Sequence, residues 1–402
     1  MSTVYEDRSV TLRSRFESFG IWNIAALATW VTIFIGLAIR TLANPNRATA
    51  FTVYRMAGSH WLHAEHLYGD WRGFVYSPLA AVFFAPFAFL PPGWGNFCWT
   101  WLNAAIFLLG VTAALNSSLY PGLKPSYHGV VYLLLAPLAL GNLDTGQANS
   151  TVIGLLLLAV AAVPAERWNL VALSIAAATY FKIYPLAVGL LILVIAPRRL
   201  GWRLLLALFA LGILPFLFQH WSYVSQQYHE WAMTRSADDR RLYPIKDVPL
   251  DLWFLLVRFG QLAIPGFVYS SFQMLSGAAI ALFCLVGARK HWPKERSLAG
   301  LLSFVCIWMT LCGPATELQT YIVLAPAVVL ALTSMFLSRR PLWLRIGMLS
   351  VYVLLVLAVA RTSFLPSQKG LWVLTIQPIA AVIFLGLCLL WLLPRRSLSS
   401  SS

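Results

Sequence analysis

The stretch GNLDTGQANSTVIGLLLLAVAAVPAERWNLVALSIAAATYFKIYPLAVGLLILVIAPRR, residues 141–199, decides the fold. It contains three apolar runs, separated by short polar points near Asp144, Glu166 and Lys182. Continuous apolar runs are typical of helices that cross a bilayer, whereas barrel strands alternate between apolar and polar residues. Similar runs recur from Ile21 to Leu393. The sequence therefore predicts an all-α polytopic membrane protein whose 402 residues form a single integral membrane domain.

The composition of the whole chain agrees with this prediction. Apolar residues make up 59% and charged residues 11%, against about 25% charged in an ordinary soluble domain. A mean hydropathy of +0.74 excludes a soluble enzyme with one membrane anchor. The net charge of +15 comes from Lys and Arg residues between the apolar runs. That is the pattern of cytoplasmic loops, so no nucleic-acid partner is predicted.

Basic turns set the predicted topology. Arginines and lysines cluster at 198–203, 289–296 and 339–345, and the positive-inside rule places these turns and both termini in the cytoplasm. The segment 77–90 would reach about 21 Å as a helix, short of the roughly 30 Å hydrocarbon core, so it is predicted to be a re-entrant or interfacial helix. Twelve spans are predicted, near 21–42, 97–116, 129–142, 149–163, 168–181, 184–196, 203–218, 267–288, 298–312, 320–337, 343–361 and 371–393.

This topology leaves two long outer loops, about 43–96 and 219–266. Most of the 14 carboxylates of the chain fall on the same outer side. The predicted outer carboxylates are Glu65, Asp70, Asp144, Glu230, Asp238, Asp239, Asp247, Asp251 and Glu317. The chemistry is therefore predicted on the outer face.

The first outer loop contains EHLYGDWRGFVYSP, residues 65–78, which mixes acids, a cation and aromatic rings. Aromatic residues at this depth are also ordinary members of a membrane-interface belt. His60, His63 and His66 have no cysteine beside them, so no metal site is predicted. The candidate substrate-binding residues of this loop are Tyr54, Glu65, Tyr68, Asp70, Arg72 and Tyr76.

The segment GNLDTGQANS, residues 141–150, lies at the predicted outer end of the third span. An ionisable residue at membrane depth is a functional candidate, which makes Asp144 a candidate catalytic residue. Gln147 and Asn149 carry neutral amides of the kind that hold sugar hydroxyls. The alternative role for Asp144 is to cap the next helix.

Two further outer turns carry isolated charges. Lys182 in YFKIYP, residues 180–185, suits a phosphate, and Tyr184 lies beside it. The alternative is a lysine that snorkels at a helix end. Glu317 in GPATELQTY, residues 313–321, is a second candidate catalytic carboxylate, with Tyr321 as a possible substrate contact. The alternative is a structural ion pair with Lys182 or an arginine.

Taken in order, these motifs resemble the GT-C class of membrane glycosyltransferases, and within it family 87, the polyprenol-phosphate-mannose-dependent mannosyltransferases. The resembling stretches are FTVYRMAGSHWLHAEHLY (51–68), FVYSPLAAVFFAPFAFLP (74–91), GQAN (146–149), FKIYP (181–185) and GPATELQTYIVLAPA (313–327).

The resemblance implies inverting transfer of a hexose from a polyprenyl-phosphate donor to a glycolipid or glycan acceptor. It implies a non-cytoplasmic site, no cofactor and no metal, and a bacterial inner membrane. Asp144 is the first choice for the base and Glu317 the second, with Lys182 on the donor phosphate. Gln147 and Asn149 would bind hydroxyl groups.

The chain departs from the family pattern at one position. The family commonly has an aspartate where this chain has Ala50. In the family, that aspartate looks like the catalytic base. Two rival functions stay open, the first of them because of Ala50. One is a catalytically inactive relative that binds a lipid-linked sugar. The other is a transporter or flippase, which would need a polar path to both faces, whereas the polar residues here lie on one side.

Overall fold

The computed structural model describes residues 20–69, 73–120, 122–237, 249–313, 316–364 and 371–392. Within these ranges every regular element is a helix. Long apolar runs adopt this form because an α-helix satisfies its own backbone hydrogen bonds in hydrocarbon. The α-helices, numbered in chain order, are α1 Ile21–Ala43, α2 Ala50–Leu62, α3 Pro78–Ala88, α4 Pro92–Asn116, α5 His128–Thr145, α6 Asn149–Ala162, α7 Trp168–Phe181, α8 Leu186–Ile195, α9 Pro197–Ile213, α10 Trp221–Ser236, α11 Gly266–Arg289, α12 Lys294–Leu311, α13 Ala325–Leu337, α14 Leu342–Phe364 and α15 Leu371–Leu392. Short 3-10 helices occupy Pro125–Tyr127, Leu214–Leu217 and Leu318–Val323, and a π-helical turn occupies Phe254–Phe259.

Eight helical segments in the described part of the chain are long and apolar enough to cross a membrane. They are α1, α4, α11, α14 and α15, together with α5, α9 and α13 when the adjoining 3-10 turns are included. The helices α6, α7 and α8 have 14, 14 and 10 residues, so they reach only about 15–21 Å. Every predicted span coincides with a helix, while a total of twelve crossings stays a prediction.

Exposed apolar side chains cover the outer helices. Ile39 on α1, Leu205 on α9 and Met274 on α11 are 64%, 70% and 77% exposed. The helix α13 is instead buried along most of its length. An apolar surface of this extent is unfavourable in water and is the normal surface of a protein in lipid. The chain is an integral, multi-pass membrane protein.

The predicted first outer loop contains α2 and α3. The helix α3 corresponds to the predicted short segment 77–90, and Pro78 begins it, where a backbone N–H is not needed. The two helices pack through the rings of Tyr54 and Phe84, which stack with centroids 4.6 Å apart. The second predicted loop contains α10 and the π-helical turn. The depth of α3 in the membrane stays a prediction.

The helices α4 and α6 cross in backbone contact. A Cβ atom on Gly154 would lie 2.5 Å from the Ile106 carbonyl oxygen, and one on Gly110 would overlap the Gly154 backbone. Small residues permit this approach between membrane helices. The crossing matters for the site because α4 carries the side chains that hold the turn before α6.

We predict that Gly110→Ala lowers the stability of the protein by about 1–3 kcal/mol or more, because the added methyl overlaps α6. Gly36→Ala is the matched control, since a Cβ at Gly36 meets nothing within 4 Å, and it should be neutral or stabilising by about 0.5–1 kcal/mol. Thermal unfolding in detergent measures both. Equal transition temperatures for the two variants would contradict the crossing.

Candidate active site

The turn between α5 and α6 is the centre of the site. The helix α5 ends at Thr145, and Gly146 follows in the left-handed conformation with φ 67°, which glycine adopts without strain. Two side chains of α4 form hydrogen bonds with the backbone of this turn. Trp99 Nε1 donates to the Gly146 carbonyl at 2.7 Å, and Asn103 Nδ2 donates to the Gln147 carbonyl at 2.8 Å.

Two buried asparagines cap the start of α6. Asn103 Oδ1 accepts from the Thr151 backbone N–H and hydroxyl at 2.8 and 2.7 Å. Asn142 Oδ1 accepts from the Ser150 N–H and hydroxyl at 3.2 and 2.6 Å. Asn142 Nδ2 also donates to the Gln319 carbonyl at 3.1 Å. The first amides of α6 are therefore satisfied by side chains of α4 and α5, and the turn is tied to the Leu318–Val323 helix.

Glu317 precedes the Leu318–Val323 helix and caps it in a reciprocal arrangement with Thr320. The same carboxylate accepts a hydrogen bond from Gln147 Nε2. Gln147 Oε1 in turn accepts from Asn149 Nδ2 at 2.7 Å. Two of the segments singled out in the sequence, 141–150 and 313–321, therefore meet through a Glu317–Gln147–Asn149 chain.

Two tyrosines of the first outer loop reach the same turn. The hydroxyl of Tyr54 accepts from the Ala148 N–H at 3.3 Å and lies 2.9 Å from the Tyr76 hydroxyl. The Tyr68 hydroxyl donates to the Tyr76 carbonyl at 2.7 Å. Burial raises the pKa of Tyr54 to about 12, so its phenol stays neutral at physiological pH. The tyrosines offer neutral hydrogen bonds to a ligand.

Lys182 follows the last residue of α7 in an extended conformation, where the helix ends before Pro185. Burial lowers the pKa of Lys182, the charge of Glu317 raises it and the charge of Arg235 lowers it. Its Nζ lies 5.8 Å from the centroid of the Tyr184 ring. Within the described residues no carboxylate lies within 4.0 Å of Lys182. Lys182 and Glu317 therefore interact at longer range than a direct ion pair.

Asp144 lies in the last turn of α5, and two arginines hold its carboxylate. Arg47 binds both oxygens at 2.9 and 2.8 Å, and Arg40 Nη1 lies 3.1 Å from Oδ1. The alternative role predicted for Asp144 was to cap α6. Asn103 and Asn142 cap that helix instead. The structure therefore places Asp144 in a link between α5, α1 and the segment after α1.

The other predicted residues that the structure describes have contacts away from the turn between α5 and α6. The Glu65 side chain is 57% exposed and 3.6 Å from His60 Nε2. The Tyr321 hydroxyl donates to the Leu250 carbonyl at 2.8 Å. Ala50 begins α2 and packs on a buried cluster that includes Phe51. Asp70 and Arg72 lie outside the described residues.

The sequence model of Glycosyltransferase family 87 matches residues 74–314, more than half of the chain. The chain belongs to glycosyltransferase family 87. The match includes the turn at 146–149 and Lys182 and ends before Glu317. The resemblance predicted from the motifs is confirmed, and this family 87 chain is a membrane glycosyltransferase of the GT-C class.

Two solved structures are similar to this family 87 chain. They are crystal structures of ArnT from Cupriavidus metallidurans, one bound to undecaprenyl phosphate and one in the apo state. Both have 13% sequence identity and a TM-score of 0.39. They cover 90% and 91% of this chain and 76% and 77% of their own chains. No curated protein matches.

Two buried polar atoms of the family 87 site lack a hydrogen-bond partner within the described part of the chain. They are Asn149 Oδ1 and the Tyr184 hydroxyl. Leaving such a group unpaired costs about 1–3 kcal/mol. No three His, Cys, Asp or Glu side chains in the described ranges are placed to hold a metal ion.

We predict that Trp99→Phe lowers the stability of the enzyme by about 1–3 kcal/mol, because the buried Gly146 carbonyl loses its indole donor. Trp101→Phe makes the same chemical change on α4 at a side chain that is 41% exposed, and we expect little effect. Denaturant unfolding in detergent compares the two. A cost at Trp101 equal to that at Trp99 would argue against the hydrogen bond as the cause.

Proposed function

We propose that this enzyme transfers a hexose, specifically mannose, from a polyprenyl-phosphate donor to a hydroxyl of a glycolipid or glycan. The transfer inverts the anomeric carbon, needs no metal and takes place on the non-cytoplasmic face of a bacterial inner membrane. The observation that carries the proposal is the grouping of Glu317 and Lys182 with Asn149 and Tyr184. Asn149 Oδ1 and the Tyr184 hydroxyl have no hydrogen-bond partner among the described residues. A base, a cation and hydroxyl-binding groups are the parts that this reaction needs.

In the proposed reaction Glu317 takes the proton of the acceptor hydroxyl. The acceptor oxygen then forms a bond to the anomeric carbon from the face opposite the phosphate. The bond between that carbon and the phosphate oxygen breaks, and its electron pair leaves with the polyprenyl phosphate. The ammonium group of Lys182 stabilises the charge that develops on the leaving phosphate. Gln147, Asn149, Tyr54, Tyr76 and Tyr184 orient the sugar and acceptor hydroxyls.

We favour Glu317 over Asp144 as the base, reversing the order that the sequence suggested. The Asp144 oxygens already accept from the guanidinium groups of Arg40 and Arg47, so they are less available to a substrate hydroxyl. Glu317 accepts from the neutral Gln147 amide and lies close enough to Lys182 to raise its pKa. Asp144 is then a positioning residue for the turn. Tyr68 supports Tyr76, while Glu65, Asp70, Arg72 and Tyr321 stay candidates from the sequence alone.

An apolar cavity supports the choice of a lipid-linked donor. It has a volume of about 310 Å³ and lies between α8 and α11, with Leu190, Met274 and Trp308 among its lining residues. Its lining begins at Ala187, five residues after Lys182. We assign the polyprenyl chain to this cavity and its phosphate to Lys182.

The test is transfer of radiolabel from polyprenyl-phosphate mannose, then glucose, to membrane lipids by purified protein in liposomes containing EDTA. We expect the wild type to transfer mannose and Glu317→Gln to reduce turnover about 100-fold or more. Lys182→Ala should abolish donor use, Lys182→Arg should retain part of it, and Asp144→Asn should cause a smaller loss than Glu317→Gln.

Several results would contradict parts of this proposal. A strict divalent-metal requirement would overturn the metal-free mechanism. Loss in Asp144→Asn but not in Glu317→Gln would assign the base to Asp144. Tight donor binding without transfer to any acceptor would identify a carrier or an inactive relative, and Ala50 is the reason that the inactive relative stays open.

The pH profile tests the role of Lys182 separately. Because burial lowers the pKa of Lys182 from the ordinary value of 10.5, kcat/KM should fall on the alkaline side below pH 10.5 as the ammonium loses its proton. An arginine keeps its proton to a pH above about 12, so Lys182→Arg should move this fall to higher pH. An alkaline limb that does not move would exclude Lys182 as its origin.

A further inference from the structure

A second cavity, which is lined by polar side chains, lies on the other side of α2 from Tyr54. Its volume is about 340 Å³, and the residues of α2 that line it include Thr52, Arg55 and Ser59. These belong to a different face of the helix from Tyr54, Ala57 and Trp61, which are buried. The remaining polar lining residues are Asn46, Arg47, His60 and Asn96. Arginines, hydroxyls and amides line this cavity, and its lining contains no carboxylate.

Arg55 is the cation of this cavity that has no counter-ion among the described residues. Its Nη2 donates to the carbonyls of Ala88 and Leu90 at 3.2 Å each, where α3 ends. Its Nε is buried and has no hydrogen-bond partner among the described residues, and no carboxylate of those residues forms an ion pair with it. Capping α3 therefore accounts for one nitrogen of Arg55, and no described carboxylate compensates its charge. Arg47, in contrast, forms an ion pair with Asp144.

The position of the cavity selects the kind of anion. It lies where α1 ends at Ala43 and α4 begins at Pro92, and both helices are long and apolar enough to span a membrane. Large apolar side chains are exposed at the same helix ends, with Phe89 at 78% and Trp94 at 53%. Exposed aromatic residues at the ends of spans are typical of the headgroup region of a bilayer. An anionic lipid headgroup would reach a cavity at this depth.

We propose that this cavity binds the phosphate of a net-anionic lipid headgroup, with Arg55 as the charged ligand and Thr52, Ser59 and Asn46 as neutral ones. The site is separate from the phosphate position at Lys182 and does not depend on the proposed donor. It adjoins the catalytic turn from the other side, because Phe51 and Asn96 line the cavity and both lie within 4 Å of a Cβ built on Gly146.

The test is titration of the full-length protein in detergent with phosphatidylglycerol and, separately, with phosphatidylcholine, with bound lipid counted by native mass spectrometry. We expect phosphatidylglycerol to bind more tightly, and Arg55→Gln to weaken it about tenfold, as expected for loss of one charge-assisted contact. Arg55→Lys should retain most of the affinity. Arg289→Gln, which removes an exposed arginine outside the cavity, should leave it unchanged.

Ser59→Leu fills the cavity without altering the cap of α3, so it should weaken phosphatidylglycerol binding as well. Unchanged affinity in either folded variant overturns the site and leaves Arg55 as a helix cap only. Displacement of the lipid by millimolar inorganic phosphate would also overturn the assignment, since the site would then take a free anion. Lys182→Ala should leave this binding intact, so failure of the transfer assay and failure of this site are separate results.

Discussion

Two buried amide side chains, Asn103 and Asn142, make the interactions on which the rest of the site depends. Each uses both its donor and its acceptor, and together they join α4, α5, α6 and the Leu318–Val323 helix. An amide offers both functions without a net charge, so it links helices in apolar surroundings without the desolvation cost of an ion. The position of Gln147, and through it the contact with Glu317, follows from these bonds.

The charged groups near the turn follow two different arrangements. Asp144 is saturated by Arg40 and Arg47 and serves as a tie between helices. Lys182 and Glu317 instead interact without direct contact, so neither charge is neutralised by an ion pair with the other. In a direct buried ion pair each charge would already be compensated by its partner, so neither would be available to bind a ligand. The separation keeps a cation available for a phosphate and a carboxylate available for a hydroxyl.

Sequence reasoning recovered the helical fold. It also singled out the segments 141–150 and 313–321, which meet through Gln147 and Glu317, but it did not predict their contact. The direction of the Asp144 side chain was not predictable. The left-handed Gly146 separates it from Gln147, so the chain reverses between them, and its arginine partners lie about a hundred positions away in the sequence. Trp99, Asn103 and Asn142 were missed because the search followed charge. A buried asparagine within an apolar span must find partners, and that signal would have found two of the three.

The departure at Ala50 is best understood through the same turn. Phe51, the residue next to Ala50, lies beside Gly146, 3.5 Å from where a Cβ on that glycine would stand, and Glu317 contacts the turn at Gln147, one residue farther along. The place where the family resemblance implies an aspartate and the carboxylate favoured here therefore border the same short segment. A base supplied from the Leu318–Val323 side needs no change in the helices that hold this segment. It relies on the Asn142–Gln319 bond, which fixes the two elements relative to each other, so a neutral amide and not an ion pair helps to set where the carboxylate lies.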